Sequence, residues 1–221
     1  MHARAPDRRG AEFCGQTTAS SAFIVRGMRA GTEAIEDLPD AELLALYAAG
    51  DRSAARVLTL RHAPRLLALA GRMLGDLTEA EDVAQESMLR LWRIAPDWRA
   101  EGAAVGTWLY RVASNLCIDR LRRRRPGDGD ALAQIADDRP GPQRRLEAAD
   151  RAAALRAALA ALPERQRLAI VLRHFEERGN PEIAEILDTS VEAVESLLGR
   201  ARRALADMLA DRRAELGFTD G

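Results

Sequence analysis

Five side chains within GTWLYRVASNLCIDRLRRRR, residues 106–125, are of the types that could grip a nucleic acid. Trp108, Arg111, Asn115, Asp119 and Arg122 fall in one row when the stretch is wound as a helix at about 100° per residue. An indole, a guanidinium and an amide in line can stack on unpaired bases, hydrogen-bond their edges and hold phosphate. Arg122 to Arg125 spread around the end of the same helix, where they would meet backbone charge. Composition alone also fits a core Trp108 with arginines that merely keep the helix in water, and it leaves both readings open.

That row needs a framework, and the pattern around it is helical throughout. Leu109, Val112, Ala113, Leu116 and Cys117 form the core face of the same helix, with Leu121 at its margin. Upstream, Leu43, Leu44, Leu46 and Tyr47 make an apolar stripe that Gly50 closes. A helix is expected over Arg52–His62, and a separate one opened by Pro64 and ended by Gly75. Thr78 and Glu81 read as a capping box, so the next helix starts near Glu79 and runs to about Ile94. Its inner face is Val83, Ala84, Met88, Leu91 and Trp92, and its outer side carries Asp82, Gln85 and Glu86. Pro96 to Gly106 reads as a loop.

Pro126, Gly127 and Gly129 break the arginine helix, and an acidic, proline-containing stretch follows. Helices are expected over Leu146–Leu162 and from Pro163, with Asn180 capping a short one and a turn at Thr189–Ser190 before a long last helix to about Arg213. Pro181 to Arg203 reads as a helix-turn-helix, with Ile183, Ala184 and Leu187 packing on Val194 and Leu198. Asp188 occupies the turn and is expected in left-handed geometry, which Asp visits more readily than most residues. No strand pattern and no internal repeat emerge. The fold class expected is all-α: two small helical domains joined by a flexible acidic linker, the second a helix-turn-helix. The divisions are a disordered tail over 1–36 (Met28 being a candidate start), domains at 37–125 and 147–213, the linker at 126–146, and a tail at 214–221.

Charge is locally segregated although the 221-residue chain nets only -1. Residues 76–86 hold five acids and no base, residues 103–125 six Arg against Asp119, and residues 176–195 seven acids against Arg178. Such blocks point to surfaces with different partners, although any single block could be an ordinary solvated face. All 33 basic residues are Arg. Cys14 and Cys117 match no metal spacing, His2, His62 and His174 are scattered, and no Gly-rich phosphate loop or nucleophile arrangement is present. The expectation is therefore no enzyme, no cofactor and no metal. With no apolar run of membrane length, a cytoplasmic protein without membrane insertion is expected.

EDVAQESMLRLW (81–92) and TWLYRVASNLCIDRLRR (107–123), in this order and spacing, resemble two motifs of the extracytoplasmic-function sigma factors. These are the smallest members of the sigma-70 family of bacterial RNA polymerase subunits, and the likeness covers about residues 38–212. The resemblance implies that Asp82, Gln85 and Glu86 engage the clamp on the largest subunit of core RNA polymerase. It implies that Trp108, Arg111, Asn115, Arg122 and Arg123 face the unpaired strand of the minus-ten promoter element. The loop containing Trp98 corresponds to a pocket for a flipped base, whose extraction costs about a few kcal/mol. It further implies that the acidic linker threads polymerase channels, and that an anti-sigma factor is a partner.

The second domain is similar to the reader of the duplex minus-thirty-five element, through Glu192, Glu195, Ser196, Arg200 and Arg203, with Arg202 beside them. It departs from the common pattern by placing Glu192, Ala193, Glu195, Ser196 and Leu197 where Gly, Thr, Lys, Ser and Arg are favoured. Carboxylates there repel phosphate, although Glu can accept from cytosine N4. Two other readings remain: a sigma-like mimic that titrates an anti-sigma factor without touching DNA, and an ordinary helix-turn-helix regulator, which would leave 78–125 without a role.

Overall fold

The computed structural model describes residues 35–99, 102–124 and 142–210, with the side chains of 142–151 left aside. Residues 1–34 of the expected N-terminal tail, the C-terminal tail, Met28, Cys14, Arg125 and most of the acidic linker lie outside the described residues, whereas Ile35, expected at the end of the tail, is buried against the first bundle. Eight α-helices are described: α1 Asp40–Ala48, α2 Arg52–Leu74, α3 Leu77–Ile94, α4 Val105–Arg123, α5 Pro142–Ala161, α6 Glu164–His174, α7 Asn180–Leu187 and α8 Val191–Ala210. A short 3-10 turn, Ala95–Asp97, follows α3. The architecture is all-α, with α1–α4 forming one bundle, α5–α8 the second, and a linker between them.

Local sequence accounts for most of the helix ends. Gly50 and Gly75 take φ of 99° and 69°, left-handed values that cost glycine little, and they stop the chain after α1 and at the end of α2. The Asp51 carboxylate accepts from the Ser53 amide at 2.8 Å and caps α2. Asp188 sits at φ 51°, ψ 60°, the left-handed turn expected between α7 and α8.

Four expectations are corrected. Residues 52–74 form one helix that runs straight through Pro64. A proline costs the bond to the carbonyl four residues earlier, and that residue, Leu60, is 65% exposed, so water can stand in for the missing donor. The cap of α3 is Asp76, which accepts from the Glu79 amide at 3.0 Å, and the helix begins at Leu77 before the Thr78–Glu81 pair can act as a box. Asn180 is the first residue of α7 rather than its cap, and α5 begins at Pro142, inside the stretch expected to be linker.

Each bundle buries its apolar faces as the helical period dictates. Leu43, Leu44, Leu58, Leu66, Leu69, Met73, Leu91 and Leu109 are fully buried in the first, and Leu168, Leu172 and Ile183 in the second. Burial of each such side chain contributes about 1.5–3 kcal/mol. The start of α1 is tied to α2 by polar contacts: Asp40 meets His62 Nε2 at 2.8 Å and Arg61, whose guanidinium also donates to the Glu36 carbonyl at 2.7 Å. Burial pushes the Asp40 carboxyl upward, but hydrogen bonds and charge from His62 and Arg61 outweigh it and hold it below the usual carboxylate range.

The two bundles touch. α4 packs on α7 and α6, and α2 packs on α6, so the buried apolar residues form one continuous cluster from Ile35 to Ala201. Arg167 of α6 is 7% exposed and carries its charge to the C-terminal ends of helices: it donates to the Met73 carbonyl of α2 at 2.6 Å, and to the Ala160 and Leu162 carbonyls. A guanidinium there meets the negative end of the helix dipole, which offsets part of the cost of burying it.

Candidate nucleic-acid and polymerase interfaces

The row of α4 follows from the burial of its opposite side. Val105, Leu109, Ala113 and Cys117 are buried, which turns Arg111, Asn115, Asp119 and Arg122 to the exterior; Trp108 is half-buried at the head of the row. Val112 and Leu116, expected in the core, are half-buried at its edge. Burial pushes the Cys117 thiol up to about 12, so it is a packing group rather than a reactive one.

Trp98, on the segment after the 3-10 turn, meets Trp108 edge to face, with ring centroids 5.9 Å apart and planes at 89°. The two indoles form one aromatic corner at the head of the row. Such a pair is worth about 0.5–1.5 kcal/mol beyond its area and fixes the plane that Trp108 can offer.

The arginines divide into two sets. Arg122 and Arg123 are exposed at the end of α4. Arg124, expected to spread outward with them, instead turns onto the α2–α3 corner, where it donates to the Leu74 carbonyl at 2.8 Å and pairs with Glu79 at 2.6 Å and Asp76 at 3.9 Å. Arg120 joins it, donating to the Glu79 carbonyl at 3.0 Å. Part of the acid block at 76–86 therefore positions α4.

The remainder of that block faces out. Asp82 and Gln85 are exposed on α3, with Leu89, 41% exposed, on the next turn. Asp82 lies 3.8 Å from Arg120. Glu86 is half-buried; its hydrogen bond from Arg90 at 2.8 Å, with Arg93 further off, holds its carboxyl below the usual range. The ridge is a mixed acidic and apolar strip, with Glu86 held closely by Arg90 and Asp82 more loosely by Arg120.

In the second bundle, Ile183, Ala184 and Leu187 of α7 and Val194 and Leu198 of α8 are all buried, the packing expected of a helix-turn-helix. Glu192, Glu195, Ser196, Arg200, Arg202 and Arg203 are exposed. Ser190, read from sequence only as a turn, accepts from the Ala193 amide at 3.2 Å and caps α8. Glu192 accepts from its own amide and from the Ser190 hydroxyl, which lowers its carboxyl from the usual range. Arg200 folds back on Ser196, reaching its hydroxyl at 2.9 Å.

Sequence reasoning missed the contacts between bundles. Tyr110, 1% exposed, donates its hydroxyl to Glu176 at 2.7 Å, and the Arg178 guanidinium lies over its ring at 4.4 Å. Burial pushes the phenol up to about 12, which keeps the proton that Glu176 accepts. Arg72 reaches Glu176 at 3.1 Å, Thr107 donates to Glu182 at 3.5 Å, and Arg111 of the row pairs with Asp188 at 3.2 Å. No periodicity links residues 66 or 77 positions apart, so no pattern in the sequence could have signalled them.

Two family models match, Sigma-70 region 2 over residues 58–126 and Sigma-70 region 4 over residues 152–205, together more than half of the chain. The RNA polymerase sigma-H factor of Pseudomonas aeruginosa is 33% identical, covering 75% of this chain and 91% of the relative. The ECF RNA polymerase sigma factor SigW of Bacillus subtilis is 32% identical, over 73% and 92%. Among solved structures, CnrH in complex with the cytosolic domain of CnrY matches with a TM-score of 0.59 and 31% identity, over 78% of this chain and 97% of that one; CnrH is a sigma factor of Cupriavidus metallidurans. The sigma factor RpoE of Bartonella quintana, solved with the anti-sigma factor NepR, shares the fold with a TM-score of 0.57 at 20% identity. Among the described residues no helix is long and apolar enough to cross a membrane, and no cluster of metal-ligating side chains occurs. The chain belongs to the extracytoplasmic-function branch of the sigma-70 family, non-enzymatic subunits that bind RNA polymerase and recognise promoters through DNA-binding, helix-turn-helix architecture.

Proposed function

We propose that the chain divides promoter recognition between its two bundles, α4 reading the separated minus-ten strand and α8 the minus-thirty-five duplex. The observation that carries this reading is the exposed row Arg111, Asn115 and Arg122 below the Trp98–Trp108 corner. Stacking on an aromatic plane contributes about 1–3 kcal/mol per base, enough to offset unpairing one. Arg122 and Arg123 hold the strand's phosphates. Asp82, Gln85 and Glu86 dock on the polymerase clamp, leaving α4 free to meet DNA from the neighbouring side of the bundle. On α8, Ser196, Arg200 and Arg203, with Arg202, supply the duplex contacts, and Glu195 accepts from a cytosine amine.

The two bundles correspond to these two tasks, with the stretch between the end of α4 and the start of α5 at Pro142 as the tether. A second polypeptide holds the protein inactive in the cytoplasm: an anti-sigma factor is the expected partner, and CnrH, 31% identical, is itself solved with a second chain, the cytosolic domain of CnrY. The reading of the chain as a mimic that titrates such a partner draws on one feature, the exposed Glu192 and Glu195 of α8. Run-off transcription with purified core polymerase on the chain's own upstream region and other candidates tests both readings. A discrete transcript that requires this chain supports promoter reading. Polymerase binding without a transcript from any candidate, together with no DNA binding, supports the mimic.

A further inference from the structure

Asp119 is the one member of the α4 row that promoter reading leaves without a task. It stands between Asn115, four residues before it, and Arg122, three after it, and all three are exposed. At a rise of about 1.5 Å per residue, Asp119 lies about 6 Å along the axis from Asn115 and about 4.5 Å from Arg122. Six arginines share residues 103–125 with this single carboxylate, yet none of the described ones pairs with it. Arg120 turns to Glu79 and Asp82, Arg124 to Glu79 and Asp76, and Arg111 to Asp188. The carboxylate is left to solvent in a row otherwise built of donors.

A free carboxylate restricts what can lie against it. It has only acceptor atoms, so phosphate oxygens and base carbonyls are repelled, and only a base edge carrying donors can be held. The four unpaired bases differ at that edge. Guanine presents two adjacent donors on its Watson–Crick edge, N1–H and the N2 amine, which match the two carboxylate oxygens in the parallel manner of a guanidinium. Cytosine sets its N4 amine beside the N3 acceptor, and adenine its N6 amine beside N1. Thymine has one N3–H between two carbonyls. Each of these three places a lone pair against a carboxylate oxygen. In paired DNA the ranking changes, because the Watson–Crick edge is closed and cytosine N4 becomes the carboxylate's partner in the major groove.

We infer that Asp119 is a specificity-determining residue that selects guanine in the separated minus-ten strand, accepting from its N1–H and its N2 amine. The inference rests on α4 being the strand reader. A bidentate pair of this kind discriminates against the other bases by about tenfold to 100-fold. The same charge sets the register of the strand. A phosphate placed at Asp119 is rejected, while one placed at Arg122 is held, and the two positions differ by about one stacked nucleotide of 3.4 Å.

Holoenzyme assembled from the full chain and core polymerase, mixed with a library of short random-sequence single strands, tests this directly. Bound strands are sequenced, with core polymerase alone as the background. The wild type should enrich guanine at one position by about tenfold. Asp119→Asn, equal in size but with an amine in place of one acceptor, should lose that enrichment and keep the preferences at other positions. In a selected strand, hypoxanthine in place of that guanine removes only the 2-amino group. This exchange should weaken wild-type binding by about tenfold and leave Asp119→Asn unaffected.

Absence of guanine enrichment by the wild type overturns the inference, and so does enrichment that persists in Asp119→Asn. Enrichment of cytosine, adenine or thymine at the Asp119-dependent position overturns it as well. Uniform tightening of every strand by Asp119→Asn, with base preferences intact, reduces the carboxylate to a repulsive charge and has the same consequence. Arg111→Ala with Asn115→Ala separates the two layers. Strand binding at the wild-type level by that variant refutes α4 as reader; its loss, beside an unchanged guanine preference in Asp119→Asn, refutes only the role of Asp119.

Discussion

α4 and α8, the two helices proposed to read DNA, are built on opposite electrostatic plans. α4 carries Arg111, Arg120, Arg122 and Arg123 against one carboxylate, Asp119, and begins with an aromatic corner. α8 begins with Glu192 and Glu195 and defers its arginines to positions 200, 202 and 203. The geometry of Ser190 and Glu192 supplies a reason: the carboxylate accepts from amide and hydroxyl at the helix start, where negative charge favours the dipole. The two helices thus resolve the same conflict differently. α4 is stabilised by packing and by Arg120 and Arg124 clasping α3, so Asn115 and Arg122 of its row stay exposed, while Arg111 pairs with Asp188. α8 uses its first turn to hold itself together, and its exposed arginines lie further down the helix.

Breaking the comparison at the polymerase side has the largest expected effect. Asp82→Arg inverts the exposed ridge and removes the Arg120 contact at 3.8 Å, and binding to core polymerase should fall by about 100-fold, reversal of a complementary charge costing several kcal/mol. Fluorescence anisotropy with labelled protein measures this, and single-strand binding by the same variant should be unchanged.

Next is the contrast in salt dependence. For single strands the slope of log K against log salt is about 0.7 per phosphate held, and for duplex about 0.9. Arg122→Ala with Arg123→Ala should flatten the single-strand slope by about 1.4, and Arg203→Ala the duplex slope by about 0.9. Equal losses on both ligands from either substitution would erase the division of labour between α4 and α8.

A smaller effect is expected at Arg167, where bundle meets bundle. Arg167→Met strands the Met73 and Ala160 carbonyls without their donor and should cost about 1–3 kcal/mol in chemical denaturation. The smallest is the acid limb of stability. The folded pKa of Asp40 is depressed, so its contribution is present above the unfolded value of about 3.9 and is lost as pH falls through the folded one. Asp40→Asn should therefore be less stable than wild type near neutrality and approach it below about pH 4.

Local chemistry made the individual helices readable. The spacing of Leu109, Ala113 and Cys117 gave the phase of α4, and with it the outward row; Asp188 gave the turn of the second bundle. Pro64 was misleading because a proline signal reports a lost bond and cannot report that the partner carbonyl belongs to exposed Leu60. Asp76 and Ser190 are caps chosen by geometry among several eligible neighbours, Thr78 and Thr189 included. Arg124 shows the same limit for charge: composition placed it with the DNA-facing arginines, and only the fold brings Asp76 and Glu79 within its reach. Tyr110 drew no assignment from the sequence; its hydroxyl finds Glu176 across 66 positions of chain, information that no helical period carries.

The most direct test of the α4 row follows promoter opening with 2-aminopurine in the minus-ten element, using core polymerase and the Arg111→Ala, Asn115→Ala chain. If the row grips the separated strand, polymerase binding stays at the wild-type level while the fluorescence rise of opening falls by about 100-fold or more, the loss of two contacts to unpaired bases. Opening at the wild-type rate by this variant would contradict the account.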